Sequence, residues 1–234
     1  MLLASAADLR TSVEIRGSRA IYEVRTNNPL YQRRLLHMGF ALTGQGYFTR
    51  NLSNTGDVSS THRFFAEHLE EMLLQSARVR PVRWEDTLDL FLRRVDGTPL
   101  RWFLYGSGAL AVRGINIQPG DLDFWVSDAQ LAGEIFKDVL VEPVTTMTGW
   151  IADCGGRAFA GCLLEWMAGV HPDVDEPMPH EQGLVALSSL ETVRWHNWAV
   201  PVAPLVLQLS VAEQRGLTDR VASIRAYLSS VSAK

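Results

Sequence analysis

The spacing of apolar positions switches between the two-residue period of a strand and the roughly 3.6-residue period of a helix. Residues 12–26, SVEIRGSRAIYEVRT, alternate apolar and polar about Gly17-Ser18, which predicts a short hairpin. In NPLYQRRLLHMG, Asn28 stands as N-cap, Pro29 at the first helical position and Gly39 as terminator, so a helix is expected with Leu35 and Leu36 on its inner face. Alternation returns over 40–51 around Gly44-Gln45-Gly46, and residues 61–76 place Phe65, Leu69, Met72 and Leu73 at helical spacing. Residues 1–76 therefore read as a small N-terminal α+β module, with RVRPVR (78–83) as a link to the remainder, 77–234.

Residues 84–97 are amphipathic through Leu88, Phe91, Leu92 and Val95, and Gly97 ends that helix. RWFLYG (101–106) is apolar on both faces, as in a central strand, SGALAVRG reads as a short helix, and DLDFWV (121–126) as the next strand. Ser127 with Gln130 has the form of a capping box for the helix that follows, and VEPV comes after it as a strand. TGWIADCGGRAFAGCLLEWMAG reads as two strands joined at Gly155-Gly156, with Glu165 inside the second. From 187 onward the pattern gives a helix, a short strand and a helical C-terminal pair, so the fold class is α/β (α+β), a mixed sheet flanked by helices.

Composition adds few constraints. The balance, 47% hydrophobic and 21% charged, is that of an ordinary globular chain. The longest apolar run, 199–212, is broken by Pro201 and Pro204, so no membrane span is expected; the N-terminus lacks a basic region and a long apolar stretch, so a cytoplasmic location is expected. Cys154 and Cys162 lack metal-ligand spacing and read as buried free thiols. The net charge of -4 is uneven: residues 1–83 carry 11 Lys+Arg against 7 Asp+Glu, and residues 84–234 carry 11 against 19. Only Lys137 and Lys234 are lysine, so any phosphate clamp must be built mostly from arginine forks, backbone N–H groups and metal.

Two carboxylates break the apolar strand at 121–126. Residues two apart in a strand share a face, so Asp121 and Asp123 project together while Leu122, Phe124 and Val126 face the other way. Paired carboxylates are hard oxygen donors suited to Mg²⁺. Glu165 is flanked by apolar residues, a costly setting for a carboxylate unless it is paired or metal-bound. Gly106-Ser107 lies at a strand-to-helix turn, where small residues let a phosphate approach the backbone.

Gly106-Ser107, thirteen intervening residues, Asp121-x-Asp123 and a later Glu165 on a strand together resemble the signature of the DNA polymerase β-type nucleotidyltransferase superfamily over roughly residues 85–230. The ending VPVAPLVLQLSVAEQRGLTDRVASI is similar to bacterial members, and the chain most resembles the antibiotic and minimal nucleotidyltransferases. The resemblance implies that Gly106, Ser107 and Arg113 contact a nucleoside triphosphate, with ATP expected, that Asp121 and Asp123 bind Mg²⁺, and that Glu165 completes the metal site or acts as base. An acceptor hydroxyl would then attack the α-phosphorus and release pyrophosphate. Many relatives carry a lysine in the C-terminal helical region; here Arg215 or Arg220 would have to replace it.

The expected activity is transfer of a nucleoside monophosphate, AMP from ATP, to a hydroxyl of a small molecule such as an antibiotic, the overall acidity favouring a cationic acceptor. Toxin-like transfer to tRNA or protein and a non-catalytic nucleotide-binding module are the alternatives. HPDVDEPMPHEQ (171–182) reads as a solvated loop that could rim the acceptor pocket. Trp150, Trp166, Trp195 and Trp198 read as core before base-stacking residues, and Arg33-Arg34 as a solvent face rather than a nucleic-acid contact.

Overall fold

The computed structural model describes residues 8–232; the stretch 1–7, which carries most of the leader reading, lies outside the described residues. In the first part of the chain, β1 (Arg10–Arg16) and β2 (Arg19–Arg25) form the expected hairpin, followed by α1 (Pro29–His37), β3 (Ala41–Leu42), β4 (Phe48–Ser53) and α2 (Val58–Ser76). The four strands make one antiparallel sheet in the order β1-β2-β4-β3. Asn28 caps α1 through its side chain, which accepts from the Leu30 amide. Leu35 is buried, whereas Leu36, turned 100° around the helix, is 52% exposed.

The remaining elements are α3 (Trp84–Val95), β5 (Trp102–Tyr105), α4 (Gly106–Val112), β6 (Asp121–Val126), α5 (Ala129–Ile135), β7 (Leu140–Thr146), β8 (Ala152–Phe159), β9 (Leu163–Val170), α6 (Leu184–Ser188), β10 (Glu191–Trp195), β11 (Trp198–Val202), α7 (Leu205–Gln214) and α8 (Thr218–Ser232). They build a seven-stranded mixed sheet in the order β10-β11-β5-β6-β9-β8-β7, in which β11 with β5 and β6 with β9 are parallel pairs. The protein is thus a mixed α+β structure with helices on its sheets.

One face of the large sheet carries Leu104, Leu122, Phe124, Val126, Leu164 and Trp166, and α3 closes it by stacking Phe91 on Phe124 at 3.8 Å between ring centroids. The opposite face holds Phe103, Trp125 and Met167 over part of its width and charged side chains over the rest. The N-terminal core extends onto this sheet, with Val141 and Phe159 buried among Leu69, Leu73 and Phe65. Gln75 of α2 also donates to the Gly161 carbonyl at 2.8 Å. The link is ordered as well: Val82 is buried in the main core, and Arg78 donates to the Gln118 and Pro119 carbonyls.

Three local expectations are corrected. Gly155-Gly156 does not make the turn of the β8–β9 hairpin; both lie within β8, and the chain reverses at 160–162. A Cβ on Gly156 would come within 2.5 Å of the Trp166 ring across the pair, so the glycine serves a close approach. The side chain that caps α5 is Asp128, which accepts from the Gln130 and Leu131 amides, while Ser127 accepts from the Arg101 amide. The single strand expected after 187 is a hairpin, β10–β11, that extends the sheet beside β5.

Candidate functional site

The register places side chains from five strands in one row. Tyr105 on β5 is opposite Asp123 on β6, Asp123 opposite Glu165 on β9, Glu165 opposite Arg157 on β8, and Arg157 opposite Glu142 on β7. Asp121 stands two residues along on the same face. Alternation within single strands accounts for each side chain's direction, but only the pairing order brings the acids together.

Gly106 begins α4 directly above this row. Its φ of +64° is a left-handed conformation, and a Cβ there would meet Asp123 Oδ2 at 2.9 Å. Any other residue would be strained and would press on the carboxylate, so the glycine is required by turn and approach together. Ser107 follows it, buried within α4 and lining the same cleft as Asp121.

The carboxylates disturb one another. Burial and then the Glu165 charge push Asp121 up to about 6, against the opposing pull of Arg157, Arg78 and His37. Burial, followed by the charges of Asp121, Glu165 and Glu181, holds Asp123 well above the usual carboxylate range. The buried Tyr105 hydroxyl is held far above its ordinary value by burial and then by the charges of Asp123, Glu165 and Glu181, so it stays protonated. A hard divalent cation would relieve this crowding, and the all-oxygen donors of Asp121 and Asp123 suit Mg²⁺, which keeps waters and shares phosphate oxygens. Glu165 is held by an arginine. Its Oε1 lies 2.8 Å from Arg157 Nε, and its Oε2 accepts from Arg157 Nη2 at 3.3 Å. Among the described residues, no group of three His, Cys, Asp or Glu could hold a metal ion.

Arg157 joins the row to the N-terminal module. Its Nη1 donates to the Met38 carbonyl at 2.9 Å and to Glu142 Oε1 at 3.2 Å. Arg50 of β4 also donates to the Met38 carbonyl, at 2.8 Å, and its Nε lies 2.8 Å from Glu142 Oε1. Burial works against the Arg157 cation, but the two carboxylates more than offset it and raise its pKa.

Cavities open on both sides of the Arg157–Glu165 pair. The first, about 490 Å³, is lined by Ser107, Asp121 and Glu165 together with Arg34, His37, Arg78, Arg157 and Arg220. It is a cationic cleft with one carboxylate edge, as an anionic ligand bound through a metal requires. The second, about 440 Å³, lies between β3–β4 and β7–β9 and shares Arg157 and Glu165 with the first.

Other candidates fall elsewhere. Arg113, expected at the triphosphate, donates to Glu191 Oε2 at 2.6 Å and to the Ala203 carbonyl at 2.8 Å, and it does not line the cleft. It fastens the end of α4 to β10 and the segment after β11. Of the two arginines proposed to replace a lysine, Arg220 lines the cleft, and Arg215 is felt electrostatically at His180. Arg34 lines the cleft and donates to the Ser76 carbonyl. Trp166 and Trp195 are buried, whereas Trp150 is 47% exposed at the second cavity. Cys162 is buried, Cys154 partly so, and both are free.

One residue was missed. Glu181, read as part of a solvated loop, is 3% exposed and accepts from the Gly106 amide at 3.0 Å and from Gln208 Nε2 at 3.1 Å. Gln208 Nε2 also donates to the Gly106 carbonyl at 2.9 Å, so two side chains hold the turn that carries Ser107. A Pro-rich acidic stretch has no periodicity that could single out one buried acid.

No protein-family model and no curated protein sequence matches the chain. A crystal structure from Thermotoga maritima, of a protein provisionally named a nucleotidyltransferase, aligns with 63% of this chain and 93% of its own at 18% identity and a TM-score of 0.47, a similarity too low to decide fold or activity. No helix among the described residues is long and apolar enough to cross a membrane.

Proposed function

We propose that the protein is a Mg²⁺-dependent nucleotidyltransferase that moves AMP from ATP to a hydroxyl of a small molecule. The observation that carries the reading is the Asp121–Asp123 pair on one strand face, Asp123 beneath the Gly106 turn and Asp121 with Ser107 lining a cleft that also holds Arg34, Arg78, Arg157 and Arg220. Asp121 and Asp123 would hold the metal; Glu165, bound to Arg157, is not assigned to it. When bound, Mg²⁺ supplies charge neutralisation for phosphate oxygens and a lowered pKa for the attacking hydroxyl.

The chain's own groups divide the remaining work. Arg34, Arg78 and Arg220 draw in and orient the triphosphate, and Ser107 supplies a hydroxyl at the turn. Arg157, fixed by three oxygen partners, faces the charge that grows as the acceptor oxygen bonds to the α-phosphorus and the bond to the bridging oxygen breaks. The electron pair leaves with pyrophosphate. Glu165 retains lone-pair sites beside Arg157 and accepts the hydroxyl proton, which then passes to solvent.

The test is calorimetric titration of ATP into wild type and Asp123→Asn, with and without Mg²⁺. Micromolar, Mg²⁺-dependent binding that the substitution removes supports the reading. Failure of every nucleoside triphosphate to bind wild type overturns it.

A further inference from the structure

We infer that the cavity of about 440 Å³ between the N-terminal sheet and β7–β9 is a ligand site for an uncharged, hydroxyl-bearing small molecule with a flat apolar face, seated against Trp150. Its identity as the acceptor site rests on the nucleotidyltransferase reading; its ligand chemistry rests on its walls alone.

Position is the first argument. The cavity shares only Arg157 and Glu165 with the cationic cleft, so a molecule held in it meets a ligand of that cleft across this ion pair. Two cavities that meet at one fixed pair allow a group to pass between their occupants without a domain movement.

Charge is the second. The four charged side chains in its walls are Arg50, Glu142, Arg157 and Glu165, two of each sign, and they are joined to one another. The cavity therefore presents no net charge, in contrast to the cleft with its four arginines. The overall acidity of the chain suggested a cationic acceptor, but the acids that produce it are not concentrated here. A polycation would gain no field in this cavity and would lose hydration on entering it.

Surface chemistry is the third. Trp150 sits on the short connection between β7 and β8, 47% exposed although large and apolar. Gly155 gives up its side chain to make room for Met147, whose Cε would lie 2.5 Å from a Cβ there, so a thioether rather than a β-carbon lines that wall. Opposite, Thr49 and Asn51 of β4 face the cavity and make no side-chain hydrogen bond within the described residues. An aromatic and thioether wall facing unengaged hydroxyl and amide groups suits a molecule apolar on one side and hydroxylated on the other. The volume is that of a small-molecule site, within the usual range of about 300–1,000 Å³. Because β3 and β4 supply one wall of this cavity, through Ala41, Thr49, Arg50, Asn51 and Leu52, the N-terminal module takes part in selecting this ligand.

The probe is phenyl β-D-glucoside, followed by saturation-transfer NMR on the full chain. Wild type should transfer saturation chiefly to the phenyl protons, and the signal should fall at least threefold in Trp150→Ala and in Ala41→Trp, which fills the cavity from β3. Both sites are exposed, and unchanged melting temperatures would show that the variants fold. Arg220→Ala should leave the signal intact while weakening MgATP. Spermidine at equal concentration should not displace the glucoside. Absence of signal from wild type, insensitivity to both cavity variants or displacement by spermidine overturns the proposal. MgATP titrations on the same samples separate the two readings. Nucleotide binding without a Trp150-dependent glucoside signal removes the cavity proposal alone, and the reverse pattern removes the nucleotidyltransferase reading while the ligand site stands.

Discussion

The two sheets spend their interiors differently. The four-stranded N-terminal sheet buries Ala20, Tyr22, Val24, Phe48 and Leu52 against α1 and α2, and the charged side chains of β1 and β2 reach solvent. The seven-stranded sheet is as apolar on the face under α3, yet carries five consecutive cross-strand positions of Tyr, Asp, Glu, Arg and Glu on the other. Apolar packing can be satisfied by many residues of suitable volume, whereas a buried charged row is tolerable only if its members pair. The pairs are complete at the β7 end and incomplete at the β6 end, where Asp121 and Asp123 meet acids. The unpaired end marks the place where an external cation has most to contribute.

Substitutions can sharpen that contrast. The largest effect is expected from Arg157→Ala, which leaves Glu165 without its cation and Glu142 with Arg50 alone, and should cost about 3–5 kcal/mol in urea unfolding. Adding Glu142→Gln should recover part of the loss. Full independence of the two changes would show that the row is not a unit. Glu181→Ala should come next, at about 1–3 kcal/mol, because it leaves the Gly106 amide without its acceptor and Gln208 Nε2 with only the Gly106 carbonyl. Glu181→Gln, which keeps an acceptor oxygen, should lose less.

At the unpaired end the sign reverses. The folded protein holds a proton on Asp121 up to about pH 6, above the unfolded carboxylate near 3.8, so stability falls as pH rises through that window. Asp121→Asn should therefore stabilise the metal-free protein by about 1–2 kcal/mol at pH 7, with the gain vanishing near pH 4. A destabilised variant at pH 7 would count against repulsion within the acid pair.

The smallest effect belongs to the N-terminal sheet. Burial lowers the pKa of His62, whose ring meets Tyr22 edge-on at 4.8 Å. The unfolded chain then binds the proton more readily, and stability is lost as pH falls below the ordinary histidine value. His62→Phe should remove this acid-side slope, worth less than about 1 kcal/mol, without altering the Asp121-dependent slope. Melting curves from pH 4 to 7 on the two single variants would separate the contributions.

Much of this was legible from periodicity. The β1–β2 hairpin, α1 with its Asn28 cap, α3, β5 and β6 follow from local spacing, because each element's signal lies within its own few residues. Asp121 and Asp123 were marked as a same-face pair for the same reason. The glycines of β8 misled because glycine serves close approach as readily as it serves turns, and only the Trp166 ring lying across the strand distinguishes the two uses. Arg113 and Glu181 exchanged expectations: the arginine near the turn went to Glu191, and the acid from a distant loop came to Gly106.

The sequence by itself determined which elements form, that two carboxylates share a strand face and that a glycine turn precedes them, since alternation and turn chemistry are properties of neighbouring residues. Tertiary structure alone decided that Glu165 answers to Arg157, that Glu181 lies beneath the Gly106 turn and that the N-terminal module walls both cavities. Strand order and register are settled by long-range burial, and no local pattern records which strand will lie beside which.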